Sequence, residues 1–351
     1  MRFRNQVDVP TLVRVKEGAL DRVGIYLRRA GLDHVAVLQS HGLISPLPER
    51  LRTSLEEQQL QIVCWEEVLA NEMELAIKTF TSLPRQVNAV VGIGGGKALD
   101  IAKYVATLAR LPYIAVPTSL SNDGFCSPQS SLTIAGRRRS LPAAVPHGLV
   151  IDTEVCRQAP RELTLSGIGD LVSKFTAVRD WKLSFHQTGE LVDDFAALLS
   201  DGSVHAFLSH PTLDQYGMRL LATALMMNGT AMAMCGSSRP ASGSEHLISH
   251  ALDQLLPKPR LHGIQVGVAA YLVSLLQGEN SDKIAQLFET TGFWDLVAAD
   301  PFPYDLWVEA VRLAESIKPG YYTVLSSRDV HAEVEHLLTS DPHLSRVIQK
   351  V

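Results

Sequence analysis

Three residues in the second half of the chain have side chains that could hold a divalent metal. Asp170 lies in SGIGDLVSKFTAVRDW, His246 in SRPASGSEHLISHALD and His262 in LHGIQVG. Two imidazoles and one carboxylate leave coordination positions open for substrate oxygens, as catalytic metal sites require. We predict a single divalent metal, zinc in the first place, with iron(II) or nickel as alternatives that accept the same ligands.

This metal prediction has plain alternatives, because the chain contains 12 histidines and a lone histidine is more often a core or surface residue. His250 follows His246 by four residues on a predicted helix, so both rings project from one face. Such spacing can deliver two nitrogen ligands, or one of the pair can face the substrate instead.

A glycine-rich turn, GIGGGKALD, follows the apolar run at 87–91 and precedes apolar residues at helical spacing over 98–108. The pattern predicts a strand, a tight turn and a helix. Because glycine has no Cβ, backbone N–H groups and the positive end of a helix can approach a phosphate closely. The spacing differs from GxGxxG, and a tight connection is the alternative, but the metal-type residues downstream favour a nucleotide site.

The first domain, 1–155, alternates short apolar runs with helical segments. Strands are predicted at 11–15, 35–38, 61–64, 87–91 and 113–116, and helices at 19–30, 47–59, 67–81 and 97–109. This alternation predicts a Rossmann-like α/β fold, a mostly parallel sheet covered by helices. Ligands of such sheets bind at the carboxyl ends of the strands, where GIGGGK and VPTSLSNDG lie.

The second domain, 156–351, is predicted to be an all-helical bundle. Amphipathic segments follow one another at 162–183, 189–200, 216–235, 242–256, 263–277, 281–291, 304–317 and 328–339. The polar stretch 200–214 interrupts them. We expect the site in the cleft between the two domains.

Composition excludes some classes of partner. The net charge of −5 provides no basic field for nucleic acid. The run Arg137-Arg138-Arg139 predicts an exposed hairpin turn, or else a contact to an anionic ligand or a neighbouring subunit. The most apolar stretch, 220–234, is too short to span a bilayer and predicts a buried helix, so we expect no membrane insertion.

The cellular compartment is also predicted from the sequence. MRFRNQVDVP has no apolar segment of the kind found in a signal peptide. The four cysteines show no metal-knuckle spacing and no dense disulfide framework, which indicates free thiols in a reducing compartment. We expect a cytoplasmic protein.

At these motifs the chain resembles the metal-dependent, dehydroquinate-synthase-like alcohol dehydrogenases, and among them the sn-glycerol-1-phosphate dehydrogenases, with glycerol dehydrogenases next. The resemblance extends over about 10–325 and includes GGGKALDIAKYVA, VPTSLSNDGFCSP, LHGIQVGV and KPGYYTVL. SNDG, VRDW and SRPASGSEH are the parts that distinguish it from glycerol dehydrogenases.

The resemblance implies roles for individual residues. Asp170, His246 and His262 would bind the metal, and Asp123, Asp170 and His250 would act on the substrate. The nicotinamide dinucleotide would be held by Gly96, Lys97, Ala98, Leu99, Asp100, Thr118, Ser119, Leu120, Ser121 and Ser127. Asp100 could instead be favoured early in a helix by its dipole, Thr118 to Asp123 could be turn formers, and Ser127 could be a loop hydroxyl.

The implied reaction is NAD(P)H-dependent reduction of dihydroxyacetone phosphate, a small phosphorylated ketone, to a phosphorylated polyol. His250 or Asp123, acting through water, is the candidate proton relay. The strand at 35–38 runs into Gln39-Ser40-His41, where no acid excludes a 2′-phosphate, so both NAD and NADP remain open. A homodimer or a larger homo-oligomer is compatible with an enzyme of this kind.

Two departures from the family pattern leave the substrate identity open. Ile264 replaces a polar neighbour of His262, and Lys174 replaces an asparagine one helical turn after Asp170. Lys174 could meet a phosphate, but we favour a solvated position for it. Alternatives to the main hypothesis are polyol oxidation as in glycerol dehydrogenases, a sugar-phosphate cyclase similar to dehydroquinate synthase, and an inactive nucleotide-binding protein. The cyclases carry Glu at the position of Asp170 and more Lys and Arg residues, which argues against that alternative.

Overall fold

The computed structural model describes residues 8–350. Residues 1–7, which contain most of the segment where we expect no signal peptide, lie outside the described part. The chain divides into two compact units, one up to Ala159 and one from Pro160. Within residues 8–350, no helix is both long and apolar enough to cross a membrane.

The first unit contains a six-stranded parallel sheet and a separate antiparallel hairpin. Its strands in chain order are β1 Leu12–Lys16, β2 His34–Ser40, β3 Gln61–Val68, β4 Ala89–Gly94, β5 Tyr113–Pro117, the hairpin strands β6 Gln129–Ile134 and β7 Arg137–Pro142, and β8 Gly148–Asp152. The sheet order is β1-β8-β5-β4-β2-β3. The α/β fold class predicted from the alternation is confirmed.

Between residue 8 and Ala159, five helices accompany these strands: α1 Val23–Arg29, α2 Leu47–Glu57, α3 Met73–Ser82, α4 Gly96–Ala109 and α5 Thr153–Gln158. The predicted helix at 67–81 begins too early, because β3 continues to Val68 in parallel register with β2. The indole of Trp65 strengthens this pairing by donating a 2.7 Å hydrogen bond to Gln39 on β2.

The sequence patterns missed β8, which lies between β1 and β5 and is buried along its whole length. Its sequence, GLVID, is only five residues long, and such a short apolar run shows no periodicity that would distinguish a strand from other buried segments. The hairpin turn is formed by Ala135 and Gly136, both with positive φ. The three arginines, expected at the turn itself, instead begin β7, and their side chains are exposed.

The second unit is helical, as predicted. Its helices are α6 Arg161–Thr188, α7 Asp194–Leu208, α8 Gln215–Cys235, α9 Ser244–Leu255, α10 His262–Gln277, α11 Ser281–Thr291, α12 Phe293–Ala298, α13 Tyr304–Ile317, α14 Val324–Ser327, α15 His331–Ser340 and α16 Leu344–Val347. One pair of two-residue parallel strands, β9 Phe302–Pro303 and β10 Ile348–Gln349, is an exception to the all-helical prediction.

The boundaries of α7 differ from the predicted 189–200. Gly189 ends α6 in the left-handed conformation, and the Asp193 carboxylate caps α7 by accepting a 2.9 Å hydrogen bond from the Ala196 N–H. The stretch 200–214, expected to interrupt the helices, continues α7 as far as Leu208, and only its last residues separate α7 from α8. Two of its polar residues, Ser200 and Ser203, are buried, and Ser203 donates a 2.8 Å hydrogen bond to Asn228 on α8.

Candidate metal centre and cofactor-binding turn

Close contact between α6 and α10 brings two of the predicted metal ligands together. A Cβ atom on Gly169 would lie 2.0 Å from the carbonyl oxygen of Gly263, and a Cβ on Gly263 would lie 1.8 Å from that of Ser166. Only glycine permits this approach. Asp170 and His262 directly adjoin these glycines, so the contact that requires glycine also sets the position of the two ligands.

Helix α9 supplies the third predicted ligand, and the three residues form one cluster. Their ligand atoms all lie within 4.8 Å of one another. Asp170 Oδ1 is 3.6 Å from His246 Nε2 and 4.0 Å from His262 Nε2. Two imidazole nitrogens and one carboxylate oxygen, converging from three helices, fit a divalent transition metal.

His246 has a second acidic neighbour that the sequence analysis did not single out. Its Nδ1 atom lies 2.9 Å from Oε1 of Glu245, which is completely buried. The motif SRPASGSEH, noted only as distinguishing the family, contained this signal. An acidic residue directly before a metal-type histidine suggests a carboxylate that orients the ring.

Lys174 is not solvated, contrary to our prediction. Its side chain is fully buried, and Nζ lies 3.3 Å from Asp170 Oδ1, with the Ser173 hydroxyl and the Ala241 carbonyl at the same distance. Spacing of four residues places Lys174 on the same helix face as Asp170, and that face points into the protein.

The charges around the cluster shift its pKa values. Burial by itself would raise the pKa of Asp170, but the Lys174 ammonium and the two imidazoles hold it well below its usual range. Burial lowers the pKa of His246, but the neighbouring Asp170 and Glu245 carboxylates outweigh this effect and raise the pKa to about 9.

His250 lies next to the cluster but is more exposed. Its ring centroid is 5.9 Å from that of His262 and 6.4 Å from that of His246, and 41% of its side chain is accessible. Nδ1 of His250 lies 3.7 Å from the Asp253 carboxylate. This position suits a group that exchanges protons with substrate or water.

In the first unit, the glycine turn joins β4 to α4 as predicted. Gly94 has a φ of 130°, and a Cβ there would lie 2.1 Å from the hydroxyl oxygen of Ser40, which accepts a 3.0 Å hydrogen bond from the Gly95 N–H. A Cβ on Gly95 or Gly96 would meet no protein atom within 4 Å. The N-terminus of α4 is therefore open for a phosphate.

The other residues predicted at the cofactor differ in how they could contribute. Lys97 is exposed, Thr118 and Ser121 are half-buried, and Ser119 is 9% exposed. The side chains of Ala98, Leu99 and Leu120 are buried, which leaves main-chain atoms as their available contacts. Asp100 lies 3.7 Å from the buried Lys103 ammonium, and burial raises the pKa of the Asp100 carboxyl group.

The SNDG segment forms a short helical turn at Asp123 to Phe125, capped by the Asn122 side chain, which accepts a 2.8 Å hydrogen bond from the Gly124 N–H. The Lys103 ammonium stabilises this turn by donating hydrogen bonds to the carbonyls of Gly124, at 2.6 Å, and Gln129, at 2.7 Å. The Ser127 hydroxyl bonds to the same two carbonyls. Sequence reasoning missed Lys103, although it lies at helical spacing from Asp100 in the GGGKALDIAK motif.

Comparisons with known proteins agree with this architecture. The model of the iron-containing alcohol dehydrogenase family matches residues 14–160. Two solved structures, a probable glycerol dehydrogenase from Sinorhizobium meliloti and glycerol dehydrogenase from Schizosaccharomyces pombe, each superpose with a TM-score of 0.74. The superposition with the first covers 96% of this chain and 99% of that protein, at 18% sequence identity. The superposition with the second covers 99% of this chain and 93% of that protein, at 17% identity. These likenesses show the fold.

Curated relatives are closer in sequence. Glycerol-1-phosphate dehydrogenase (NAD(P)+) from Aeropyrum pernix is 34% identical over 349 residues, covering 95% of this chain and 97% of that protein. The enzyme of the same name from Metallosphaera sedula is 36% identical over 330 residues, covering 92% and 93%. The chain belongs to the glycerol-1-phosphate dehydrogenase family, whose fold is that of the iron-containing alcohol dehydrogenases.

Proposed function

We propose that this protein catalyses the reversible reduction of dihydroxyacetone phosphate by NAD(P)H and a proton to sn-glycerol 1-phosphate and NAD(P)+. The observation that carries the proposal is the cluster of buried Asp170 and His246 with partly buried His262, whose ligand atoms lie within 4.8 Å of one another. It occurs in a chain whose curated relatives are named glycerol-1-phosphate dehydrogenases. The product would be a building block for phospholipids.

In this proposal the first unit holds the dinucleotide. The open N-terminus of α4 receives the pyrophosphate at Gly96 and the residues up to Asp100, because its backbone N–H groups and helix dipole favour negative charge. Thr118 to Ser121, with Ser127, support the rest of the cofactor. Lys103 contributes indirectly, by holding the turn that carries Asp123.

In the second unit, Asp170, His246 and His262 hold the metal, for which we propose zinc, with nickel and iron(II) as alternatives. The bound metal supplies Lewis-acid polarisation of the substrate carbonyl, and the nicotinamide supplies the hydride. Asp170 also faces the substrate hydroxyl, and its ionised state at neutral pH agrees with its lowered pKa.

Proton transfer is assigned to the chain's own groups. His250, 41% exposed and close to His262, donates the proton to the oxygen at C2, directly or through water. Asp123 contacts the substrate and is the alternative relay.

The proposal extends to the finer properties of the enzyme. Both NADH and NADPH are accepted, the protein acts in the cytoplasm, and it assembles as a homodimer or larger homo-oligomer. None of these properties enters the assignment of the reaction, so each can be tested independently of it.

A metal-reconstitution assay tests the proposal. The purified protein is stripped of metal, supplied separately with zinc, iron(II) or nickel, and assayed for loss of NADH or NADPH absorbance. We expect metal-dependent turnover with dihydroxyacetone phosphate and none with dihydroxyacetone, and chiral analysis should identify sn-glycerol 1-phosphate. Turnover of dihydroxyacetone alone would move the assignment to glycerol dehydrogenase. Tight nucleotide binding without turnover of either ketone would instead direct attention to a sugar-phosphate cyclase.

A further inference from the structure

The side chain of Glu245 is one of the most completely buried acidic groups in the second unit. Both of its oxygens have partners: Oε1 faces His246 Nδ1 at 2.9 Å and accepts a hydrogen bond of 2.5 Å from the Gly243 N–H, and Oε2 accepts a 2.8 Å bond from the Thr176 hydroxyl. These contacts fix the carboxylate in one orientation.

Burying an ionised carboxylate is costly unless strong partners compensate for the lost hydration. A backbone N–H and a hydroxyl are neutral donors. The His246 ring is the third partner, and its N–H becomes a stronger donor when a metal is bound at the other ring nitrogen. The contact between Glu245 and His246 is therefore the one that metal binding would strengthen.

The direction of the His246 ring supports a specific role. With Nδ1 directed at Glu245, Nε2 points the other way, towards Asp170 Oδ1 at 3.6 Å. A histidine that ligates a metal commonly gives its remaining N–H to a carboxylate, which fixes both tautomer and ring orientation. We propose that Glu245 is a positioning residue that holds His246 with Nε2 directed at the metal.

A second buried carboxylate, Asp180, extends this arrangement. A Cβ on Gly243 would lie 2.8 Å from Asp180 Oδ2 and 3.0 Å from Glu245 Oε2, so both acids pack against the same glycine. Asp180 accepts hydrogen bonds from the backbone N–H groups of Ser244 and Val324. It thereby secures the start of α9, the helix that carries both Glu245 and His246.

The charges around the cluster favour a cation. The buried carboxylates of Asp170, Asp180 and Glu245 outnumber the buried Lys174 ammonium, and Asp253 adds a partly buried carboxylate beside His250. A divalent cation at the cluster offsets part of this negative charge. Glu245 therefore contributes to affinity both through ring geometry and through charge.

The inference rests on the proposed function only in taking the cluster to be a metal site, so it is tested by metal binding without substrate. Zinc affinity is measured by competition with a chromophoric chelator for the wild-type protein and for Glu245→Gln, which keeps the shape and removes the charge. We expect Glu245→Gln to bind zinc about 10- to 100-fold more weakly. In zinc-loaded protein with ¹⁵N-labelled histidine, His246 should carry its proton on Nδ1 in the wild type and lose this uniform tautomer in the variant.

Two further variants separate positioning from general stability. Thr176→Val removes the hydroxyl partner of Glu245 but keeps the carboxylate, and we expect a smaller loss of zinc affinity, about threefold to tenfold. Ser203→Ala removes a buried hydrogen bond between α7 and α8 and should leave zinc affinity unchanged. If Glu245→Gln does not fold, Thr176→Val carries the test.

The inference is overturned if Glu245→Gln keeps both the zinc affinity and the His246 tautomer of the wild type. If Glu245→Gln does not fold, wild-type zinc affinity in Thr176→Val overturns it. The proposed function fails separately. A wild-type protein that binds zinc tightly but does not turn over dihydroxyacetone phosphate refutes the reaction and leaves the role of Glu245 intact.

Discussion

Gly169 and Gly263 lie in direct main-chain contact, since a Cβ atom on Gly169 would be 2.0 Å from the carbonyl oxygen of Gly263. This contact joins α6 and α10 immediately beside Asp170 and His262. The metal ligands are thus positioned by a helix crossing that only glycine allows, and the glycines of SGIGD and LHG act through packing rather than through flexibility.

Substituting Gly169→Ala should therefore damage the metal centre. The added methyl group must separate the two helices, which we expect to cost about 1–3 kcal/mol of stability or more, and to weaken zinc binding at least tenfold, a loss of about 1.4 kcal/mol. Thermal unfolding and chelator competition measure the two effects.

Gly202→Ala on α7 is the matched control. A Cβ on Gly202 would meet no atom within 4 Å, and alanine is favoured over glycine inside a helix by about 0.5–1 kcal/mol. We expect equal or higher stability and unchanged zinc affinity. Wild-type behaviour of Gly169→Ala would show that the helices can separate without moving the ligands.

The glycine turn of the first unit yields a second prediction. Because a Cβ on Gly96 faces open space, Gly96→Val should fold normally but block the approach of a phosphate to α4. We expect NADH and NADPH to bind at least tenfold more weakly, measured by nicotinamide fluorescence. Zinc affinity serves as the internal control and should not change.

Gly94→Ala, in contrast, should lower the stability of the folded protein itself. Its φ of 130° and the 2.1 Å clash with Ser40 make the substitution destabilising in itself, so unfolding should occur at a lower temperature with or without cofactor. Wild-type affinity for NADH and NADPH in Gly96→Val would contradict a ligand-binding role for the open turn.

Cofactor preference can be tested at Glu67. Its carboxylate lies at the end of β3, 2.9 Å from the Gln39 side chain and 2.8 Å from His41 Nδ1. Gln39 and His41 lie at the end of β2, where the sequence contains no acidic residue. Glu67→Gln removes a charge that would repel a 2′-phosphate bound beside it. The ratio of kcat/KM for NADPH over NADH should rise about fivefold, and an unchanged ratio would place the adenosine ribose elsewhere.

The buried Asp180 predicts a pH dependence of stability. Burial, together with the nearby Glu245 carboxylate, raises its pKa from 3.8 to about 6. The folded protein therefore binds this proton more tightly than the unfolded chain, and stability is lost as the pH rises through 6 and regained as it falls towards 4. The difference between pH 4 and pH 7 should be about 2 kcal/mol.

Comparing wild type with Asp180→Asn isolates this contribution, because the other titrating groups are common to both proteins. Thermal unfolding should show the wild type gaining stability relative to the variant between pH 7 and pH 4. Asp180 accepts four hydrogen bonds, from the N–H and the hydroxyl of Ser244, the Gln277 amide and the Val324 N–H. A difference independent of pH would mean that these donors compensate for its burial and keep its pKa near 3.8.

The sequence by itself determined the types of residue that do the chemistry and the class of fold around them. Alternating strands and helices, followed by helices alone, required a parallel sheet and then a helical unit, because hydrophobic periodicity is a local property. The donor types of Asp170, His246 and His262, and the glycine turn before α4, were likewise evident from residue chemistry.

Only the tertiary structure decided the relationships between distant segments. Strand β8 lies between β1 and β5, and Asp180 and Glu245 pack around Gly243, although these segments are far apart in the chain. Lys174 is buried against Asp170, and the spacing of four residues does not by itself say whether their helix face is buried or exposed. Local patterns carry no information on such partners. The energy of a buried charge depends on which groups surround it in three dimensions.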